Sequence, residues 1–403
     1  MEIGPIWRAL SKNRAGFILI GLQIAVTMAI MVNAVAIMQE RTREMGRPSG
    51  MDEANIFTLR STGFVPDMDM RSLIEEDLHA IRSVPGVVDA TASNSFPLRQ
   101  GGSAMSFQVE PGQGEETTGA ATYRTDEHAL ASFGLELVDG SNFAPNEVNW
   151  RPEDSNQWPG TVIVSEAFAR AIFPGESGSP LGKTIYVEET QPLEIVGIVR
   201  TLQAPWKGWD EVEHAMLVPQ RSDGRFQNYV IRTEPGMRDA LMPQIETMLA
   251  ESNRNRLIQS VRTMDEVRAR SYMADEAMIK MLAFIVTLLI VITGLGIVGL
   301  ASFNVSRRTR QIGIRRALGA TRGEIVRHFQ VENFLVTTLG ILVGAMLAVA
   351  LNMAMVNAFA LTPLSWYLVP AAMLVLWLVG QAAVIGPAQR ASRVSPAIAT
   401  RSG

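Results

Sequence analysis

The sequence predicts a membrane protein: four transmembrane α-helices, both chain ends inside, and a large α+β extracytoplasmic domain inserted between helices one and two. Three observations predict it. Residues 15–38, 281–306 and 333–389 contain no charged side chain, and roughly 20 apolar residues suffice to cross the hydrocarbon core as a helix. The net charge of −4 is split, with −15 on residues 39–279 and +11 on the remainder. Between the first two uncharged runs, short β-rich segments alternate with amphipathic helical ones.

The elements follow in order. Residues 1–14 form a basic N-terminus with Arg8, Lys12 and Arg14 against Glu2. Residues 15–38 form helix 1. Ala34-Val35-Ala36 resembles a signal-peptidase site, but a signal peptide's apolar region is only about 7–15 residues, so an uncleaved anchor is expected. Residues 39–278 form the outer domain. Strands are expected at 55–60, 106–110, 161–164, 183–187, 193–199, 215–218 and 228–232. Helices are expected at 70–84, which Pro85-Gly86 stops, at 165–173 and at 237–252. Residues 111–119 and 142–160 are polar and read as loops, and a short helix from about Thr263 leads back to the membrane.

Residues 279–306 form helix 2. The run 333–389 is about twice the length one span needs and contains Pro363, so it divides into helix 3 (331–357), an outer turn (358–366) and helix 4 (367–388). Trp366 and Tyr367 suit a headgroup interface. Residues 389–403 are a basic tail with Arg390, Arg393 and Arg401. The basic pieces belong inside and the acidic domain outside, and every loop agrees with that alternation.

The connector 307–330 carries Arg307, Arg308, Arg310, Arg315, Arg316, Arg322 and Arg327. Ile314, Ala317 and Leu318, then Ile325, Val326 and Phe329, recur among them at helical spacing, and Gly319-Ala320 divides two amphipathic pieces. Such a segment lies along a membrane surface or docks in a partner's groove. The plainer reading is a basic inner loop packed on its own spans. Nucleic acid is a poorer explanation of the same charge than topology and lipid.

Other motifs lack their context. Gly294-Leu-Gly296-Ile-Val-Gly299 matches the dinucleotide fingerprint, which needs a preceding strand and a following helix. Here it lies in a span-length run, where small residues let helices approach closely. Gly178-Ser-Pro-Leu-Gly182-Lys183-Thr184 falls one residue short of a phosphate-binding loop, with Ser177 where the first glycine belongs, and it leads into a strand. The histidines, His79, His128, His214 and His328, have no metal-ligand spacing. Asp126 and His128 lack a nucleophile-elbow serine. The absence of cysteine removes disulfide and thiolate chemistry. Within the spans Gln23, Asn33, Asn304, Asn352 and Gln381 are the strongly polar groups, and no ionisable residue marks an ion path.

Several stretches together carry a family resemblance. In 307–332, Gly313, Ala317, Gly319 and Ala320 fall on an E-R-x-x-E-I-G-x-x-x-A-x-G-A pattern, followed by Phe329 and Glu332 as F-x-x-E, with Arg307 and Gln311 in place of the two glutamates. Ile81-Arg-Ser-Val-Pro-Gly86-Val87, Val164-Ser-Glu-Ala-Phe-Ala169, Pro180-Leu-Gly-Lys-Thr184, Ile195-Val-Gly-Ile-Val199 and the ending Arg393-Val-Ser-Pro396 occur in matching order. Nearly the whole chain thus resembles the MacB/FtsX-type permeases of ABC transporters, without the fused ATPase of MacB itself.

The resemblance implies a non-catalytic permease subunit in a bacterial inner membrane, with its large domain periplasmic. Its partners would be a separate cytoplasmic ABC ATPase dimer that holds ATP and Mg, and a second permease, identical or paralogous. A periplasmic adaptor and an outer-membrane channel often complete such assemblies. Cofactors would be absent from this chain. The coupling helix docking on the ATPase would comprise Ile314, Arg315, Arg316, Ala317, Leu318, Gly319, Ala320, Thr321, Arg322 and Ile325. Three roles remain open for the transmitted motion: export of a substrate, FtsX-like control of an envelope hydrolase, and LolC/E-like lipoprotein extraction.

Overall fold

The computed structural model describes residues 14–65, 68–112, 117–151, 156–175, 178–188, 190–359 and 363–394. Ser177, Leu361, Pro396 and Arg401 lie outside these residues, as do Arg8 and Lys12. The chain forms two compact units, Met1–Met45 with Ala274–Gly403, and Gly46–Met273.

The helical unit is built from α1 (Arg14–Met45), the part of α6 (Met264–Arg307) from Ala274 onward, α7 (Thr309–Ala317), α8 (Arg322–Phe359) and α9 (Leu368–Ser392). Four of these, all but α7, are long and apolar enough to cross a membrane. They exceed the expected spans because helix-forming residues continue past the uncharged runs. The largest difference is α6. The short helix expected from Thr263 is its first turns, because the Ala-, Met-, Glu- and Arg-rich segment after Met264 contains no breaker before the apolar run.

Close packing joins α1 to α8. A Cβ on Gly340 would sit 2.9 Å from the Gly21 carbonyl oxygen, and one on Gly344 would sit 2.6 Å from Met28 Cβ. Glycines spaced by four let backbones meet where lipid offers no hydrophobic drive. Ile24, Met28, Val32, Ile341, Ala348 and Leu376 fill the seam. Neutral polar groups add ties: the Thr27 and Thr293 hydroxyls are 2.8 Å apart, and Asn33 Nδ2 donates to the Ala348 carbonyl at 3.1 Å. Asn352 Oδ1 accepts from the Leu364 N–H at 3.1 Å. The Gly294–Gly299 motif lies within α6, where a Cβ on Gly296 would meet Gln23 Oε1 at 2.7 Å.

The α/β unit holds strands β1 (Ile56–Gly63), β2 (Val87–Ser93), β3 (Ser103–Gln108), β4 (Thr118–Thr125), β5 (Leu137–Gly140), β6 (Asn149–Arg151), β7 (Thr161–Ser165), β8 (Thr184–Val187), β9 (Gln191–Val199), β10 (Ala215–Ser222), β11 (Phe226–Thr233) and β12 (Arg256–Thr263). Its helices are α2 (Met70–Arg82), α3 (Ala129–Phe133), α4 (Glu166–Ile172) and α5 (Arg238–Ser252). One sheet is antiparallel in the order β12-β1-β11-β2. Helices α2 and α5 cover one of its faces, with Phe57, Leu59, Ile74, Leu78, Tyr229, Ile231 and Ile245 buried between. The second sheet is mixed, and because β10 also pairs β4, strands β4-β3-β8-β9-β7-β10 close into a ring. Phe107, Val162, Val164, Ile185, Ile195 and Met216, with Phe168 of α4, fill its core.

Strands β2, β4, β5, β6 and β12 lie outside the expected strand segments. Strand β4 begins inside the expected 111–119 loop and β6 lies inside the 142–160 loop. In β4 the run Gly119-Ala120-Ala121 interrupts the strand-forming Thr and Tyr residues, and β6 is only three residues long, so neither shows an apolar alternation of its own. The Pro180–Thr184 segment is a turn into β8, with Gly182 at φ +76° and its N–H donating to the Ile195 carbonyl at 2.8 Å.

Candidate functional site

The connector is built by two helix breaks. Helix α6 ends at Arg307, and the Arg308 N–H donates to the Asn304 carbonyl at 3.1 Å. Helix α7 ends where Gly319 takes φ +100°, a conformation that glycine adopts without a side-chain clash. The Gly319 and Ala320 N–H groups return to the Arg316 and Arg315 carbonyls at 3.2 and 3.1 Å. Thr321 then opens α8 by a reciprocal cap. Its N–H donates to Glu324 Oε2 at 2.8 Å, and the Glu324 N–H donates to Thr321 Oγ1 at 3.3 Å. The division expected at Gly319-Ala320 is therefore a sharp turn between two helices, the second of which runs on as a span.

This turn presents two different faces. Leu318 is 83% exposed and Ile314 49%, with Arg315, Ala317, Gly319, Thr321 and Arg322 exposed around them. The inward face packs Ile312, Ile325 and Phe329 against Ala388 and Ala391 of α9. Ile325 is only 4% exposed, which corrects its expected place among the outward-facing residues. It lies one turn before Phe329 on the same stripe of α8, and that stripe faces α9.

Arg316 and Ala320 are half-buried. Arg316 Nη1 donates at 2.9 Å to the carbonyls of Ser392 and of Val394. Arg308, just before α7, places Nη1 at 3.1 and 3.0 Å from the two carboxylate oxygens of Glu332. Neither contact was foreseen. The F-x-x-E pattern marked Glu332, but no local spacing links it to Arg308.

The Asp126 and His128 pair belongs to an ionic cluster within the α/β unit. Buried Asp126 accepts from Thr91 Oγ1 at 2.6 Å, Arg221 Nη2 at 3.1 Å and Arg82 Nη2 at 3.3 Å. His128 Nδ1 lies 2.9 Å from Asp89, and that hydrogen bond raises the imidazole pKa above its ordinary value. With its oxygens already engaged, Asp126 ties the two sheets together. Among the described residues no group of three or more His, Cys, Asp or Glu is arranged to hold a metal ion.

Comparison with known proteins bears on the whole chain. The family described as MacB-like periplasmic core domain matches residues 16–248, and that described as FtsX-like permease C-terminal matches residues 283–396. The chain is 25% identical over 334 residues to the uncharacterized ABC transporter permease YknZ of Bacillus subtilis, covering 81% of this chain and 78% of that protein. It is 25% identical over 412 residues to the macrolide export ATP-binding/permease protein MacB of Azoarcus sp., covering 98% of this chain and 58% of that protein. The chain thus spans little more than half the length of that MacB relative. The periplasmic region of MacB from Actinobacillus actinomycetemcomitans aligns at 17% identity and a TM-score of 0.34, over 57% of this chain and 97% of that one.

Proposed function

The chain belongs to the family of the MacB-like periplasmic core domain, joined here to an FtsX-like permease C-terminal region, and from that premise we propose that it transmits ATP-driven motion from a separate cytoplasmic ATPase dimer to its periplasmic domain. Family membership makes it a permease-type ABC transporter chain of the inner membrane, with a periplasmic domain. The transmitted motion serves to export a substrate, or to extract one from the periplasm or outer leaflet. A second permease completes the membrane pair. ATP and Mg act in the partner ATPase, and this chain performs no hydrolysis.

The observation that carries the reading is the tip of the connector. Leu318 and Ile314 stand exposed beside Arg315 and Arg322 on the basic side of the membrane unit. An exposed leucine flanked by arginines at a tight helical turn fits an apolar groove with an acidic rim, and a few such anchors dominate binding energy. Ile325 is buried and serves the connector's inner seat, to which Arg316 is also fastened.

Copurification tests the reading. Leu318→Asp combined with Ile314→Asp should lower the amount of ATPase recovered with the chain by about tenfold or more. Full recovery would place docking elsewhere. A deletion strain that keeps efflux and lipoprotein sorting but fails to activate cell-wall hydrolysis would assign the same motion to signalling instead of export.

A further inference from the structure

Helix α7 is fastened at both ends to spans three and four. At its start Arg308 holds Glu332 of α8 through both carboxylate oxygens, with the two side chains only 20% and 6% exposed. At its far end Arg316 spans the Ser392 and Val394 carbonyls at the close of α9, where a cation also meets the negative end of the helix dipole. Between the clamps, Ile312 is buried against Ile325, Phe329, Ala388 and Ala391. A carboxylate removed from water is costly unless it stays paired, so Glu332 resists any movement of α7 that draws Arg308 away.

Span two is tied to α1 instead, through Thr293 and Thr27 and the close approach of Gly296 to Gln23. Only 17% of the apolar window of α6 is buried, against 33% for α8 and 28% for α9. Arg308 also leaves helical geometry, at φ −105° and ψ 9°, between α6 and α7.

The geometry points to α7, α8 and α9 moving as one body, with Arg308 and Arg316 as the positioning residues that lock it and the Arg307–Arg308 junction as the joint at which α6 pivots. Taken with the docking reading above, on which this last step rests, a stroke delivered at Leu318 enters the membrane through spans three and four and reaches span two only second-hand.

Two measurements on the full chain in lipid nanodiscs test this. The first is amide hydrogen exchange over 309–317 without any ATPase. It should accelerate about tenfold or more in Arg308→Gln and in Arg316→Gln, while strands β1 and β11 keep their protection. The paired exchange Arg308→Glu with Glu332→Arg should restore protection at the first clamp. Unchanged exchange in both single variants overturns the clamps, whatever the fate of the docking reading.

The second measurement uses the absence of native cysteine. Spin labels are attached at Arg310→Cys on α7 and Gln389→Cys on α9, both exposed positions. In complex with the copurified ATPase, the distance between the labels should stay fixed when ATP and Mg are added. In an Arg316→Gln background it should shift or broaden. A nucleotide-dependent change with both clamps intact overturns the one-body inference. Failure of the wild-type chain to recover any ATPase overturns the docking reading, and the exchange measurement still decides the clamps.

Discussion

Each unit sets an arginine against a buried carboxylate, and the two pairs are built to different ends. In the α/β unit, Arg256 meets Asp77 inside the core between α2, α5 and the four-stranded sheet. The pair is fully furnished: Tyr229 donates to Asp77 at 2.7 Å, and Arg256 donates to the Leu249 carbonyl at 2.7 Å and to Ser252 Oγ at 2.6 Å. In the helical unit the Arg308–Glu332 pair sits where the helix axis breaks and retains some exposure. The membrane seam itself is closed by Gly340, Gly344 and uncharged polar groups. Where water is the alternative environment, a well-satisfied ion pair can sit at the centre of a core. Where lipid is the alternative, charge is kept to the ends and shape complementarity holds the middle.

That contrast can be broken in order of expected effect. Asp77→Ala strands Arg256 in an apolar core and should cost the α/β unit about 3–5 kcal/mol. Denaturant unfolding of the full chain, with hydrogen exchange over β11 and β12 as the local readout, measures it. A loss well below that range would mean that water or the Leu249 carbonyl carries the arginine without its acid.

Gly344→Leu probes the other half. Its side chain would strike Met28 and the Ala25 backbone, and overpacking of this kind costs about 1–3 kcal/mol. The damage should appear as separation of α1 from α8, read by cross-linking of introduced cysteines, with the α/β unit's unfolding unchanged. A simultaneous loss in both units would show that the membrane seam is not an independent structure.

The smallest effect concerns pH. The Asp89 hydrogen bond raises the His128 pKa in the folded state above its ordinary value of 6.5. The protonated imidazole therefore contributes stability that is fully present below the unfolded pKa and is lost as pH rises through the folded one. The unfolding midpoint of the α/β unit should fall slightly as pH rises above the ordinary imidazole value of 6.5, and His128→Gln should flatten that dependence. An equal slope in the variant would assign it to other groups.

Much of the architecture was legible because lipid imposes a one-dimensional rule. Uncharged length fixed the four spans, and the charge split set their direction. The turn at Gly319 was legible for a local reason, since glycine followed by a Thr-x-x-Glu cap is written in adjacent residues. Strand β4 was hidden because Ala120, Ala121 and Thr122 owe their extended state to β3 and β10, far away in sequence. Ile325 was misassigned because helical spacing identifies an apolar stripe without saying which neighbour it meets. The clamps were invisible for the same reason. Residues 308 and 332, or 316 and 394, are brought together only once α8 and α9 lie side by side.

The two acceptors of Arg316 carry a practical consequence. Because the carbonyl of Val394 is one of them, the segment from Ser392 to Val394 forms a seat for the connector, and shortening the protein before that point would unsettle the hinge while leaving every hydrophobic segment untouched. Purification handles and fusion partners at this terminus should be spaced well beyond Val394.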